Sequence, residues 1–258
     1  MTATYLYCIV KSARKPSMTR APGGLPGAAP PAALHVSGST WLIAAEVPLD
    51  TYGAGHLEPR LADMDWVGRI ALAHEAVVEH CGRKASLTVI PMKLFTMFSS
   101  PARAVADVAA RKKTIDASLR RIAGAEEWGI RVWRGEQAPK ETGAPPRTVT
   151  SGAAFLAVKK QARDEARSMK LAAAGAAVQA YERLAKLAKA SRRRDDAPSA
   201  ATAPPLLDAA FLVHSGKRSQ FTKAARRAAA ACARAGARMT LSGPWPAYNF
   251  VHGDEHGR

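Results

Sequence analysis

LADMDWVGRIALAHEAVVEHCGRKASLTVIPMKLFTMF, residues 61–98, is the stretch whose reading decides the fold. From its seventh residue, Val67, Ile70, Ala71, His74, Val77, Val78 and Cys81 recur at steps of three and four, which places them on one face of an α-helix. Such a face has to be covered. Residues 87–98, an apolar run interrupted by Pro91, suit a strand or a bent pair of strands lying beneath the helix. Asp63 and Asp65 stand where carboxylates satisfy free N–H groups and favour the positive end of the helix dipole, and Asp65 is read as the cap. The helix stops near Gly82.

Working outward towards the N-terminus, residues 5–10 and 39–47 are β-prone, and residues 15–31, rich in Pro and Gly without periodicity, form a loop between them. Residues 50–60 are a turn-rich approach to the helix. Towards the C-terminus, Ser99 or Ser100 with Pro101 signals a second helix start, and Val105, Val108, Ile115, Leu119 and Ile122 mark its apolar stripe up to Gly124. Residues 126–134 then alternate, with Trp128, Ile130 and Val132 on one face, as a half-buried strand does. Residues 1–135 therefore read as an α+β sandwich domain, followed by a polar, Pro- and Gly-rich linker at 136–150.

Residues 151–258 form the second expected domain. Residues 152–190 are rich in strong helix formers, and Phe155, Val158, Ala162, Met169, Ala173, Ala176, Ala180, Leu184 and Leu187 approximate one seam, so a long coiled-coil-like helix or a helical hairpin is expected. Residues 191–205 read as an internal linker. A compact β-α-β unit follows, with a strand at 206–213, an alanine-rich helix at 220–235 and a strand at 237–241. The chain closes on SGPWPAYNFV, where Pro244 and Pro246 bracket Trp245 in an aromatic-rich turn.

At 258 residues and 47% hydrophobic content the chain can bury substantial cores. No apolar run approaches the roughly 20 residues of a membrane span and no signal peptide opens the chain, so a cytoplasmic protein is expected. Cys8, Cys81 and Cys232 are isolated singles, which indicates neither disulfides nor a zinc knuckle. Charge is the strongest bulk property, with 38 Lys and Arg against 21 Asp and Glu, a net +17, of which +6 falls in residues 1–135 and +11 in 136–258. That balance suits acidic partners. The cluster Arg183, Lys186, Lys189, Arg192, Arg193 and Arg194 is the nucleic-acid candidate, against its reading as a solvated helix end.

No catalytic, cofactor or metal constellation assembles. His74-Glu75 begins a zincin-like pattern, but Val78 stands where the second histidine belongs and His80 falls on another face. Ser215-Gly216-Lys217 lacks the upstream glycine of a phosphate loop, where Phe211 stands, and Gly23, Gly24 and Gly27 open no helix. His74 belongs to the packed stripe instead. Trp66, Trp245 and Tyr248, with Arg69, Glu75 and Glu79 beside that stripe, form the candidate interaction surface.

The blocks YLYCIV, LADMDWV, ALAHEAVVE, VIPMKLFTMFSS, EWGIRV, AAFLV and LSGPWPAYNFV occur together in this order. With them the chain resembles the GvpL/GvpF family of gas vesicle accessory proteins, over residues 4–10 and 61–251. The resemblance implies an N-terminal ferredoxin-like domain, a C-terminal α+β domain with long helices, and a cytosolic, non-enzymatic assembly factor or minor component. Its implied partners are the small hydrophobic main shell protein and other gas vesicle accessory proteins. The family pattern carries a glycine near Cys8, and an arginine, an aromatic and a glycine where Lys93, Leu94 and Phe95 stand; these departures mark a divergent member and bear on strand geometry at both places.

Overall fold

The structure, a computed structural model, describes residues 1–84, 86–135, 152–194 and 204–251. It is α+β, built as two compact units: residues 1–126 with 245–258, and residues 127–244.

The first unit is organised on β1 (Thr2–Lys11), buried along its length except at its ends. β2 (Ala32–Ser37) and β3 (Thr40–Pro48) form a hairpin, α1 (Leu49–Tyr52) and α2 (Ala54–Arg60) are short helices, and α3 (Met64–Gly82) crosses to β4 (Thr88–Pro91) and β5 (Met97–Phe98). α4 (Pro101–Ala110) and α5 (Lys112–Ile122) follow. The sheet order is β2-β3-β1-β4, with β5 also pairing β1, and all these pairings are antiparallel. Between Leu6 and Cys8 the β1–β3 register shifts, and this bulge sends Tyr7 and Cys8 into the same core as Ile70, Val77, Val78 and Cys81 of α3. The helical stripe read from the sequence is thus the cover of β1.

The second unit contains most of β6 (Ala125–Arg134), then α6 (Gly152–Ala185), β7 (Ala190–Arg193), β8 (Leu207–His214), α7 (Arg218–Arg234) and β9 (Ala237–Trp245). Its sheet order is β7-β8-β6-β9. β8 is buried from Leu207 to Val213, as a central strand must be. Trp128, Ile130 and Val132 of β6 meet Phe211 and Val213 of β8, Phe221 and Ala225 of α7, and Ala173, Ala177, Ala180 and Leu184 of α6 in one core. Counted within each unit, both sheets place their strands in the order second, third, first, fourth. The second unit has the β-α-β-β-α-β element order used by ferredoxin-like folds. In the first, where that pattern was expected, residues 12–31 cross from β1 to β2 without a helix.

Several boundaries differ from the sequence reading. β6 belongs to the second sheet rather than closing the first, and the division between units falls at residue 126, not 135; sheet membership depends on partners far along the chain, which local alternation does not register. The expected linker at 136–150 lies outside the described residues. Residues 191–193, placed in a linker, pair antiparallel with β8 from Ser191↔Phe211 to Arg193↔Ala209. β2 was not foreseen. The expected single helix after Pro101 breaks at Arg111, whose φ of −94° and ψ of 15° leave the helical region. Asp63, not Asp65, caps α3, accepting from the N–H groups of Asp65 and Trp66 at 3.0 Å each. β9 runs on to Trp245, and a short 3-10 turn, Tyr248–Phe250, follows.

Candidate interaction surface

Beneath α3 lies a buried polar cluster. Tyr5 Oη is 2.8 Å from His74 Nδ1, and the imidazole stacks on Tyr7 with ring centres 5.6 Å apart. Burial pushes the His74 pKa down to about 4, with the Met92 backbone opposing the shift. Tyr7 Oη accepts from the Leu25 N–H at 2.9 Å, and Tyr52 Oη donates to the Pro26 carbonyl at 2.8 Å, so two core tyrosines fasten the 12–31 crossing. Gly24, at φ +79°, is needed there because a Cβ would stand 2.3 Å from Tyr7 Oη. The cluster holds a crossing in place and leaves His74 neutral and enclosed.

On the flank of α3, Tyr248 Oη donates to Glu75 Oε2, while Oε1 has no hydrogen-bond partner among the described residues. Burial foremost raises the Glu75 pKa; the Tyr248 hydrogen bond opposes this and Glu79 adds to it. Tyr248 is itself pushed up by burial and by that carboxylate. Glu75 and Tyr248 are therefore joined, and part of what was read as free surface is a brace between α3 and the C-terminal turn. Glu79 pairs with Arg83 one turn on, an exposed ion pair of small energetic weight. Trp66 is half-buried, stacked on Phe95 with centres 5.9 Å apart and 3° between planes, and Arg60 lies over its ring. Arg69 is exposed, as is Trp245.

Sequence reasoning missed the outward face of α3 and Leu61 in the turn before it. Leu61, Met64 and Leu72 point away from the core, the last two at 73% exposure. Their spacing, with Gly68, is also a three-and-four pattern, but the stronger inward stripe hid it.

The gas vesicle synthesis protein GvpL/GvpF family model matches residues 3–252. This chain belongs to that family. It is 27% identical over 241 residues to gas vesicle protein L of Streptomyces sp. (strain CB03234), covering 87% of this chain and 84% of the relative. It shares its fold with the crystal structure of GvpF from Anabaena sp. PCC7120, at a TM-score of 0.68, 15% identity, and coverage of 99% and 100% of the two chains. GvpF from Microcystis aeruginosa matches at a TM-score of 0.62 and 15% identity over 97% and 99%. The GvpL/GvpF family is a gas vesicle family and not a known family of enzymes.

Cys8 and Phe95, where the resemblance implies glycines, fall where the backbone is irregular. Cys8 adjoins the β1 bulge, and Phe95 adopts φ +63°, a conformation natural to glycine. Phe95 keeps that geometry while its ring covers Trp66. Phe95→Gly and Phe95→Ala both lose the ring, but only alanine retains the left-handed strain. The glycine variant is therefore expected to exceed the alanine variant by about 1 kcal/mol in urea unfolding.

The residues of the nucleic-acid candidate sit on successive elements. Arg183 is on α6, Lys186 and Lys189 in the following turn, and Arg192 and Arg193 on edge strand β7, so the reading of a single helix end is wrong. Arg193 lies 4.7 Å over the Tyr181 ring. Arg194 is held by Asp208, whose side chain is 1% exposed: Oδ1 accepts from Arg194 Nε at 2.8 Å and Oδ2 from Arg131 Nε at 2.6 Å. A lone carboxylate in the apolar run LLDAAFLV was the signal for this pairing. Among the described residues no group of three His, Cys, Asp or Glu is placed to hold a metal ion, and no helix is long and apolar enough to cross a membrane.

Proposed function

We propose that this chain serves gas vesicle assembly as a non-enzymatic, cytoplasmic interaction protein that binds the small hydrophobic shell subunit. It covers apolar surface of that subunit before the subunit enters the growing wall. Family membership supports the gas vesicle setting. The observation that carries the binding mode is the outward face of α3, where Met64 and Leu72, with Leu61 in the turn before the helix, present apolar side chains to solvent in a segment that also holds Trp66 and Arg69. The other accessory proteins are further partners of the same assembly.

The test is binding of the cognate shell subunit to the full chain and to Met64→Glu/Leu72→Glu. Both positions are solvent-facing, so folding should be retained, as checked by circular dichroism. Loss of two apolar contacts at about 1–2 kcal/mol each predicts roughly thirty- to a thousandfold weaker binding, together with fewer vesicles in cells dependent on the variant. Unchanged affinity would remove α3 from the mechanism. In the nucleic-acid alternative, Arg194 is already engaged by Asp208 and Arg193 lies over Tyr181, so Arg183, Lys186, Lys189 and Arg192 would carry the phosphate contacts.

A further inference from the structure

Unit 2 carries a helix that extends beyond its own core. In α6, Ala173, Ala177, Ala180 and Leu184 are buried, whereas every residue from 155 to 172 is exposed. At about 100° per residue, Phe155, Val158, Ala162, Ala166 and Met169 fall within roughly 60° of the line through those four buried positions. The face that packs in the C-terminal half thus continues, in phase, through the exposed half. Phe155, Leu156 and Val158 are 57%, 65% and 60% exposed. A soluble chain has no internal use for such side chains on a helix surrounded by solvent.

Charge selects the occupant. Residues 155–171 carry Lys159, Lys160, Arg163, Arg167 and Lys170 against Asp164 and Glu165; Lys160, Arg163 and Arg167 line one flank, and Lys159 and Lys170 lie on the edge of the seam toward that flank. An antiparallel second copy would set that basic flank against itself. A parallel copy would set it against a flank whose one acid is Glu165. Residues 127–244 hold 22 basic and 9 acidic side chains, a net +13 that adds to the repulsion between copies. A helix with an apolar stripe and acidic flanks meets both features.

We propose that the first half of α6 is a docking helix for an acidic amphipathic helix of another protein. The site belongs to the second unit and the α3 stripe to the first, so separate substitutions test the two surfaces. Burial against α7 and β8 holds one end of the rod, and the partner supplies for the exposed half the packing that residues 173–184 already receive.

The experiment uses the full chain and two synthetic amphipathic helices sharing one apolar stripe, one flanked by Glu and one by Lys. The Glu-flanked peptide is expected to bind at least tenfold tighter than the Lys-flanked one. Phe155→Glu/Val158→Glu should abolish binding, and Lys159→Glu/Arg163→Glu/Lys170→Glu should reverse the preference. Met64→Glu/Leu72→Glu should leave peptide binding intact, which separates this surface from the shell-binding one. Equal affinity for both peptides, or no binding of the Glu-flanked peptide at about 100 μM, would overturn the proposal. So would a dimer in light scattering that Phe155→Glu/Val158→Glu dissolves, since the seam would then belong to a second copy.

Discussion

Asp208→Ala is expected to destabilise the second unit by about 2–4 kcal/mol. The carboxylate is buried on a central strand and receives a guanidinium hydrogen bond on each oxygen, from Arg131 and Arg194, while its backbone carbonyl accepts from the Arg194 N–H at 2.9 Å. Removing one member of a buried charge arrangement leaves the others uncompensated. Here the two arginines are partly solvated, with side chains 48% and 31% exposed, so the cost falls at or below the range for a fully enclosed pair. The measurement is urea unfolding of wild type against Asp208→Ala and Asp208→Asn, with Arg131→Ala completing a double-mutant cycle. Asparagine keeps the shape and should cost less than alanine. A loss under 0.5 kcal/mol for Asp208→Ala would mean the carboxylate does not tie β7 and β6 to β8.

A second large effect is expected below neutrality. His74 is neutral in the fold, with a pKa lowered from 6.5 to about 4, while the unfolded chain protonates near 6.5. The stability this provides is complete above pH 6.5, declines as the pH falls, and is gone below about 4, a span of about 3 kcal/mol. Glu75 acts in the opposite sense: its raised pKa adds stability present below 4.5 and lost as the pH rises through the folded value, so it flattens the acid end of the decline. His74→Phe removes the titration and retains an aromatic ring beside Tyr7, at the cost of about 1 kcal/mol for the Tyr5 hydroxyl, which loses His74 and keeps only the Phe95 N–H. The variant should therefore start below wild type at pH 7.5 and lose less between pH 6.5 and 5. Parallel profiles over that window would assign acid sensitivity to other groups.

What the sequence made legible was whatever repeats locally. The α3 stripe, the Ser100–Pro101 helix start and the buried β8 follow from periodicity and capping chemistry, and the structure places them where that chemistry does. β2 escaped because it is a short edge strand after a Pro-rich crossing, and only its hairpin through Gly38, at φ +53°, fixes it. The allegiance of β6 escaped for a different reason: alternation shows which side of a strand is wet, not which strands lie beside it. On the candidate surface, Glu75 and Tyr248 were 173 residues apart, and no local pattern joins them. The α6 seam was visible as spacing. Where its internal partner ends is a tertiary fact.

The shared strand order gives the first crossover of each unit an unusual freedom. Between the first and second strands, one unit spends a loop pinned by tyrosines and the other a 34-residue rod, yet the sheets arrive at the same arrangement. That junction is therefore a socket: its contents can be lengthened, shortened or exchanged while the strands on either side keep their neighbours.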